Sequence, residues 1–306
     1  LRNVYLGTSD FAATVLAALL DSLHAPSLVV TRPARPKGRG KKLLDPPVAL
    51  LAKERGVECF QPEDVNLPES FERISAVSPQ AITVCAFGAI IKEPLLSAVP
   101  SFNVHPSLLP RWRGAAPIER AIAAGDEQAG VTIMQLVAEL DAGPFCSQSS
   151  IEVDDRDYGE LAADLSSLGG QVLVEALDLA QRGELLWREQ LEGTDASQIT
   201  YAEKIAREDR LLKPKTQSAT EIERTVRALN PHIGALLELA GGEPMRIERT
   251  KLAGVALAPG EIRAADGRLF VGTTEETVEL LIVRPAGGRS MDVESFLRGN
   301  EVPQLA

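Results

Sequence analysis

The sequence predicts an α/β domain on a mostly parallel sheet, followed by a small, barrel-like antiparallel β domain. Two observations point there. In the first half, short apolar runs rich in Val, Ile and Phe alternate with helical patterns, the signature of βαβ units. From Met245 onward the pattern changes to short strands separated by turn signals. At 306 residues the chain is long enough for both, and its 44% hydrophobic and 25% charged composition is ordinary for a globular protein.

The elements follow in order. "NVYLG" reads as a strand ending in a turn at Gly7, after which Ser9 or Asp10 caps a helix over "FAATVLAALL". That turn holds one glycine rather than G-x-G-x-x-G, so no backbone approach to a pyrophosphate is prepared and a dinucleotide cofactor is not expected. The next strands are "SLVVT" at 27–31, "AITVCAF" at 81–87, "FNVH" at 102–105 and "GVTIMQLV" at 130–137. "DYGELAADLSSLGGQVLVEALDLAQRG", 157–183, is a long helix whose glycine pair suggests a kink. Periodicity then lapses, which places the first domain at 1–183, a linker at 184–214 and the second domain at 215–306. In the second, "SATEIERTVRALN" is a capped helix stopping before Pro231. "EIRAADGRLFVG" is a hairpin turning at Asp266-Gly267, followed by the strand "TVELLIVRPAG" and the short helix "MDVESFLRG".

Bulk properties narrow the function classes. No run approaches the roughly 18–20 apolar residues that span a bilayer. The chain enters a strand within its first residues, so no signal peptide is expected. Cys59, Cys85 and Cys146 are odd in number, lack CxxC spacing and read as reduced core thiols, in keeping with a cytoplasmic, monomeric protein without metal. The formal net charge of −11 argues against a general nucleic-acid binder. The excess is uneven: 207–306 hold 14 Lys/Arg against 15 Asp/Glu, so the earlier residues carry nearly all of it. Within that acidic part, "RPARPKGRGKK", Arg32 to Lys42, has six basic residues of eleven and no acid. Its Gly and Pro content predicts an irregular, flexible loop.

Chemistry concentrates in "FNVHPSLLPRWRG". Side chains alternate along a strand, so Asn103 and His105 share a face, and Pro106 ends the strand directly after them. Ligands of open α/β sheets bind beyond the carboxyl ends of the strands. "AELDAGPF" sets Asp141 in a loop after the 130–137 strand, at the same edge if the two strands run parallel. An amide can donate to an oxyanion, an imidazole can move a proton near neutral pH, and a carboxylate can orient that imidazole. No Ser or Cys nucleophile has a base placed for it, which points to direct transfer to an incoming amine. Taken alone, however, a histidine at a strand end is more often structural, Asp141 also fits a turn, "SLLP" also fits a packing loop and Trp112 a core residue. The basic run, taken alone, is likewise more often a solvated charged loop.

"NVHPSLLPRWRGAAPI", followed by "GVTIMQL" and "LDAGP", resembles the folate-dependent formyltransferases along the whole chain. "GTSDFA", "RPKGRGKKL", "TYAEKI" and "RPAGGRSM" resemble the branch that formylates methionyl initiator tRNA, although Ser9 stands where that branch more often has Pro. The resemblance implies a Rossmann-like catalytic domain joined to an OB-like β-barrel domain that binds tRNA. It implies 10-formyltetrahydrofolate as formyl donor, the α-amino group of methionyl initiator tRNA as acceptor, and N-formylmethionyl-tRNA for translation initiation as product. By position, Asn103, His105 and Asp141 match the catalytic triplet, and Ser107, Leu108, Leu109 and Pro110 the folate loop. The backbone near Phe87, Gly88, Ala89 and Ile90 is expected along the pterin pocket. Arg39 and Lys41, supported by Arg32, Arg35, Lys37 and Lys42, are the expected tRNA contacts. A formyltransferase for a nucleotide sugar or glycinamide ribonucleotide would keep the triplet but not need the basic loop, and a formyl-folate hydrolase would use water as acceptor. A non-catalytic RNA-binding protein would need no Asn-x-His at a strand end.

Overall fold

The computed structural model describes residues 1–37, 42–192 and 195–306. In chain order its elements begin β1 (Asn3–Gly7), α1 (Asp10–Leu20), β2 (Leu28–Val30), β3 (Arg35–Lys37), β4 (Lys42–Leu44), α2 (Pro47–Glu54), β5 (Cys59–Phe60) and α3 (Pro68–Ser75). They continue β6 (Ala81–Cys85), β7 (Ser101–His105), β8 (Arg113–Gly114), α4 (Pro117–Ala124), β9 (Gln128–Met134), β10 (Phe145–Glu152) and α5 (Tyr158–Arg182). The rest are β11 (Tyr201–Ala202), β12 (Leu211–Leu212), α6 (Ala219–Leu229), β13 (Ala235–Leu237), β14 (Met245–Ala253), β15 (Ile262–Ala265), β16 (Arg268–Gly272), β17 (Thr277–Arg284), β18 (Met291–Asp292) and α7 (Val293–Gly299). They pack into two compact units: 1–114, 128–151 and 162–201 form one, and 115–127, 152–161 and 202–306 the other.

The first unit is the expected α/β layer, a sheet ordered β10-β9-β7-β6-β1-β2-β5. Its centre is parallel: β1 pairs with β2 and β6, β2 with β5, and β6 with β7. All five residues of β1, β6 and β7 are buried, as strands covered on both faces must be, and this is why they read as apolar runs. Val4, Leu6, Val30, Val84 and Phe87 form one core cluster, joined at its margin by Ile91 and Leu136. Ser9 caps α1 by accepting from the Ala12 N–H. The glycine pair in α5 serves close packing: a Cβ at Gly169 would lie 2.9 Å from Val104 Cγ1, and one at Gly170 2.7 Å from Ala18 Cβ.

Two expectations are corrected. β9 runs antiparallel to β7, with His105 opposite Thr132 and Asn103 opposite Met134, so parallel pairing does not bring Asp141 to the histidine. The basic segment is not irregular throughout. Arg35–Lys37 and Lys42–Leu44 pair as an antiparallel ribbon, because pairing satisfies backbone groups that Gly and Pro content alone says nothing about. Residues 38–41, with the expected contacts Arg39 and Lys41, lie outside the described residues.

The second unit carries a barrel-like, almost wholly antiparallel sheet ordered β12-β13-β14-β17-β16-β15, with β18 on β17. Only β12 and β13 pair parallel. Asp266 and Gly267 both have positive φ, 50° and 72°, the type I′ geometry expected at the β15–β16 hairpin. Helix α6 opens with a capping box in which Ser218 and Glu221 satisfy each other's backbone N–H.

Candidate active site

Three backbone features assemble the site in the first unit. β7 ends at His105, with Asn103 two residues earlier on the same strand face. Their residues are 5% and 8% exposed, so these polar groups sit at the rim of the core rather than in open solvent. The chain then passes through "SLLP" to Trp112, whose φ of 61° puts a bulky residue in the left-handed region. That bend aims the Trp112 carbonyl at the imidazole, and His105 Nε2 lies 2.9 Å from it. Since a carbonyl only accepts, the ring proton resides on Nε2, and Nδ1 is the atom left to exchange a proton.

Nδ1 faces Asp141, 3.7 Å from its Oδ2. Asp141 arrives on the loop 135–144, which turns back after β9. The turn closes on Gly143, where a Cβ would stand 2.0 Å from the Gln135 carbonyl oxygen; only glycine fits. Asp141 itself has φ 48°, and its Oδ2 accepts from the Gly114 N–H at 2.8 Å. Behind it, Arg113 donates twice to Gln190 Oε1, at 3.0 and 2.8 Å. Gln190 Nε2 in turn donates to the carbonyls of Asp141 and Gly143, at 2.7 and 2.8 Å. Both Arg113 and Gln190 are only 4% exposed, so this clamp is shielded from competing water.

Arg113 and Gln190 are not legible from the sequence. Gln190 stands in the stretch that reads as a linker, and no periodicity marks it. Arg113 lies within "RWRG" but carries no separate signal there.

The "SLLP" loop is tied down rather than open. Ser107 Oγ donates to the Arg111 carbonyl, and Thr132 Oγ1 donates to the Ser107 carbonyl while accepting from the Leu109 N–H. Gln148 Nε2 donates to the Leu109 carbonyl. Leu109 and Pro110 are buried, and Leu108 lies so close over Gly130 that a Cβ there would be 2.4 Å from Leu108 Cδ2. The outer side of this loop borders a cavity of about 1100 Å3 that also touches Phe145, Trp187 and Gln190.

At the end of β6, next to β7, Ala86 and Gly88 have φ 42° and 77°. Phe87 sends its ring into the core cluster, its carbonyl accepts from Thr8 Oγ1, and the Gly88 carbonyl accepts from Arg32 Nη1. Ile90 is 76% exposed and Leu140, beside Asp141, 60%. Arg35 lies exposed on the ribbon. Lys37 is the last residue of β3 and Lys42 the first of β4. Burial pushes the thiols up, to about 11 for Cys59 and about 12 for Cys85 and Cys146, so none is a ready nucleophile at neutral pH. Among the described residues, no group of three or more His, Cys, Asp or Glu is placed to hold a metal ion, and no helix is long and apolar enough to cross a membrane.

Comparison with known proteins gives concordant matches. Residues 1–177 match the formyl transferase family model, and 204–301 the formyl transferase C-terminal domain. A methionyl-tRNA formyltransferase of Methylococcus capsulatus is 40% identical over 306 residues, covering 98% of this chain and 97% of that protein. One from Methylobacillus flagellatus is 37% identical over 303 residues, with the same coverage of 98% and 97%. Among solved structures, HypX from Aquifex aeolicus in complex with tetrahydrofolic acid aligns with TM-score 0.65 at 17% identity, over 97% of this chain and 46% of that one. An N-formyltransferase from Helicobacter canadensis, in complex with folinic acid and dTDP-3-aminofucose, aligns with TM-score 0.64 at 14% identity, over 95% and 100%.

Proposed function

The chain belongs to the formyl transferase family, in its methionyl-tRNA formyltransferase branch, and from that premise we propose that it transfers a formyl group from 10-formyltetrahydrofolate to the α-amino group of methionyl initiator tRNA. The observation that carries the catalytic assignment is the meeting of His105 Nδ1 and Asp141 Oδ2 at 3.7 Å, with Asn103 two residues before the histidine on β7.

The folate donor supplies an activated formyl carbon on N10. The amine adds to that carbon, the carbon–N10 bond breaks, and one proton passes from the amine toward N10. The residues have two tasks: to hold the reactants near attack distance and to stabilise the charge developing on the formyl oxygen. Asn103 Nδ2 donates to that oxygen. His105 has its Nε2 hydrogen committed to Trp112, so its contribution is a second proton on Nδ1, which makes the ring a cation beside the Asp141 carboxylate. Asp141 takes the amine proton, directly or through water, and the Arg113–Gln190 clamp keeps it in place.

The donor's flat heteroaromatic ring fits the same edge. Ile90 and Leu140 present exposed apolar surface there, and Gly88 leaves backbone accessible in the loop after β6. Ser107, Leu108, Leu109 and Pro110 hold the opposite side through Thr132 and Gln148. The basic run Arg32, Arg35, Lys37, Arg39, Lys41 and Lys42 draws the tRNA phosphates to one segment of an otherwise acidic unit.

The test is formyl transfer from 10-formyltetrahydrofolate to methionyl initiator tRNA, to the elongator tRNA, and without acceptor. Formylmethionyl-tRNA formed on the initiator species is the expected result. Folate turnover at the same rate without tRNA would overturn the reading in favour of a hydrolase.

A further inference from the structure

The chain that leaves β6 forms no helix or strand across 87–92, so its backbone groups depend on side chains from elsewhere. It departs beside the chemistry: Cys85 pairs with Val104, which puts Ala86 level with His105 on the neighbouring strand. Three segments hold it. Thr8 donates to the Phe87 carbonyl and Arg32 to the Gly88 carbonyl, as described above. The third is Asn66, in the connection between β5 and α3. Its Nδ2 donates to the Ile90 carbonyl at 2.9 Å, and its Oδ1 accepts from the Lys92 N–H at 2.8 Å. One amide thus fixes the peptides on both sides of Ile91. Ile91 packs against the core cluster, while Ile90 stays 76% exposed.

Asn66 is itself held in place. Asp64 Oδ1 accepts from the Asn66 backbone N–H and from its Nδ2, both at 2.9 Å. The Asp64 carbonyl accepts from Ser70 Oγ at 2.9 Å, and Val65 belongs to the same core cluster as Phe87 and Leu95. Chemistry also fixes which way the amide faces. Nδ2 meets two oxygens that only accept, and Oδ1 meets an N–H that only donates, so the reversed amide would fail at all three contacts. An asparagine whose task was a local turn would spend its amide on its own neighbours. Here Asp64 makes the turn, and the Asn66 amide reaches residues 24 and 26 positions away. A side chain locked in this way can hold a binding loop to one shape before the ligand arrives.

We propose that Asn66 is a positioning residue for the formyl donor, acting through the backbone of 90–92, which it holds in the shape that receives the donor's flat ring. The inference rests on the reading above that the loop after β6 borders the donor, and Ile90→Asp tests that reading separately, because it alters the exposed face of the loop without touching the Asn66 amide.

Calorimetric binding of folinic acid, a formylated folate, is compared for the unaltered protein, Asn66→Ala, Asn66→Asp and Ile90→Asp. A hydrogen bond is worth about two- to tenfold in an equilibrium, so losing the two to the loop should weaken binding in Asn66→Ala by about tenfold. Asn66→Asp keeps the volume but turns a carboxylate toward the Ile90 carbonyl and Asp64, and should lose at least as much. In turnover, both Asn66 variants should raise KM for 10-formyltetrahydrofolate about tenfold, with kcat and KM for methionyl-tRNA within about twofold. Unchanged folinic acid affinity in Asn66→Ala would overturn the proposal, as would full affinity in Asn66→Asp. Earlier melting together with a rise in both KM values would overturn it too, in favour of a general structural support. If Ile90→Asp weakens folinic acid binding and Asn66→Ala does not, the loop borders the donor and only the role of Asn66 fails. If neither variant changes it, the reading of the loop falls together with the proposal.

Discussion

At the scale of the residue, Asp141 answers to two partners, and that separates its variants. Asp141 Oδ2 both faces His105 Nδ1 and accepts from the Gly114 N–H. Asp141→Asn keeps an oxygen for Gly114 but no negative charge, so it should lower kcat by at least tenfold while thermal stability hardly moves. Asp141→Ala removes the acceptor as well and leaves that N–H without it. Such a loss costs about 1–3 kcal/mol, so this variant should be inactive and also melt earlier, as calorimetry would register. Asn103→Ala should lower the rate constant by roughly 10²–10³, the effect of losing one oxyanion donor, with donor binding little changed. Near-normal single-turnover rates would remove Asn103 from that role. The pair on β7 was legible because strand alternation and a following proline are local facts. The carboxylate was legible as a residue but not as a contact. It reaches His105 through a ten-residue loop clamped by Gln190, 49 positions from Asp141, and no local pattern encodes so long a tie.

At the scale of the element, caps and hairpins were legible because each is written within four residues. "SATEIERTVRALN" reads as a capped helix and is α6, and Asp266-Gly267 predicts the β15–β16 turn. Sheet partners were not, since pairing of β9 against β7 depends on how the chain turns between them rather than on either strand's composition. Cross-strand charge pairs stay hidden for the same reason. Glu279 on β17 has a side chain only 6% exposed and is paired with Arg268 and Lys251 from the two flanking strands. The hydrogen bond from Arg268, ahead of the other contributions, holds its carboxyl below the ordinary range. A carboxyl whose folded pKa is depressed contributes stability above its unfolded pKa, near 4.3, and loses it as pH falls through the folded value. Glu279→Gln should therefore melt below the unaltered protein at pH 7, by about 1–2 kcal/mol. The gap should close as the pH is lowered past the carboxylate range. A gap that is the same at pH 7 and at pH 3 would show that packing, not charge, is what the glutamate supplies.

At the scale of the whole molecule, the uneven charge matters more than its total. A chain of net charge −11 repels RNA at long range, yet the segment Arg32 to Lys42 holds six basic residues and no acid, and Arg35–Lys37 and Lys42–Leu44 within and beyond it pair as a ribbon. An attractive patch on a repulsive body turns general affinity into oriented approach, because phosphates meet favourable potential in one place only. Ionic strength distinguishes this from a merely soluble, charged surface. Every phosphate that a basic side chain neutralises steepens the fall of log affinity with log salt by roughly 0.7–0.9. Replacing Arg39 and Lys41 together by Ala should thus flatten the salt dependence of tRNA binding by roughly 1.5, and weaken binding most at low salt. KM for the formyl donor should stay level, since the site proposed for it lies at the strand ends and not on the ribbon. If donor and tRNA parameters fell together, the ribbon would be a structural part of the catalytic unit. If neither moved, the basic run would be solvated surface, and orientation would have to come from elsewhere on the chain, such as 207–306 with its near-neutral balance of 14 basic and 15 acidic residues.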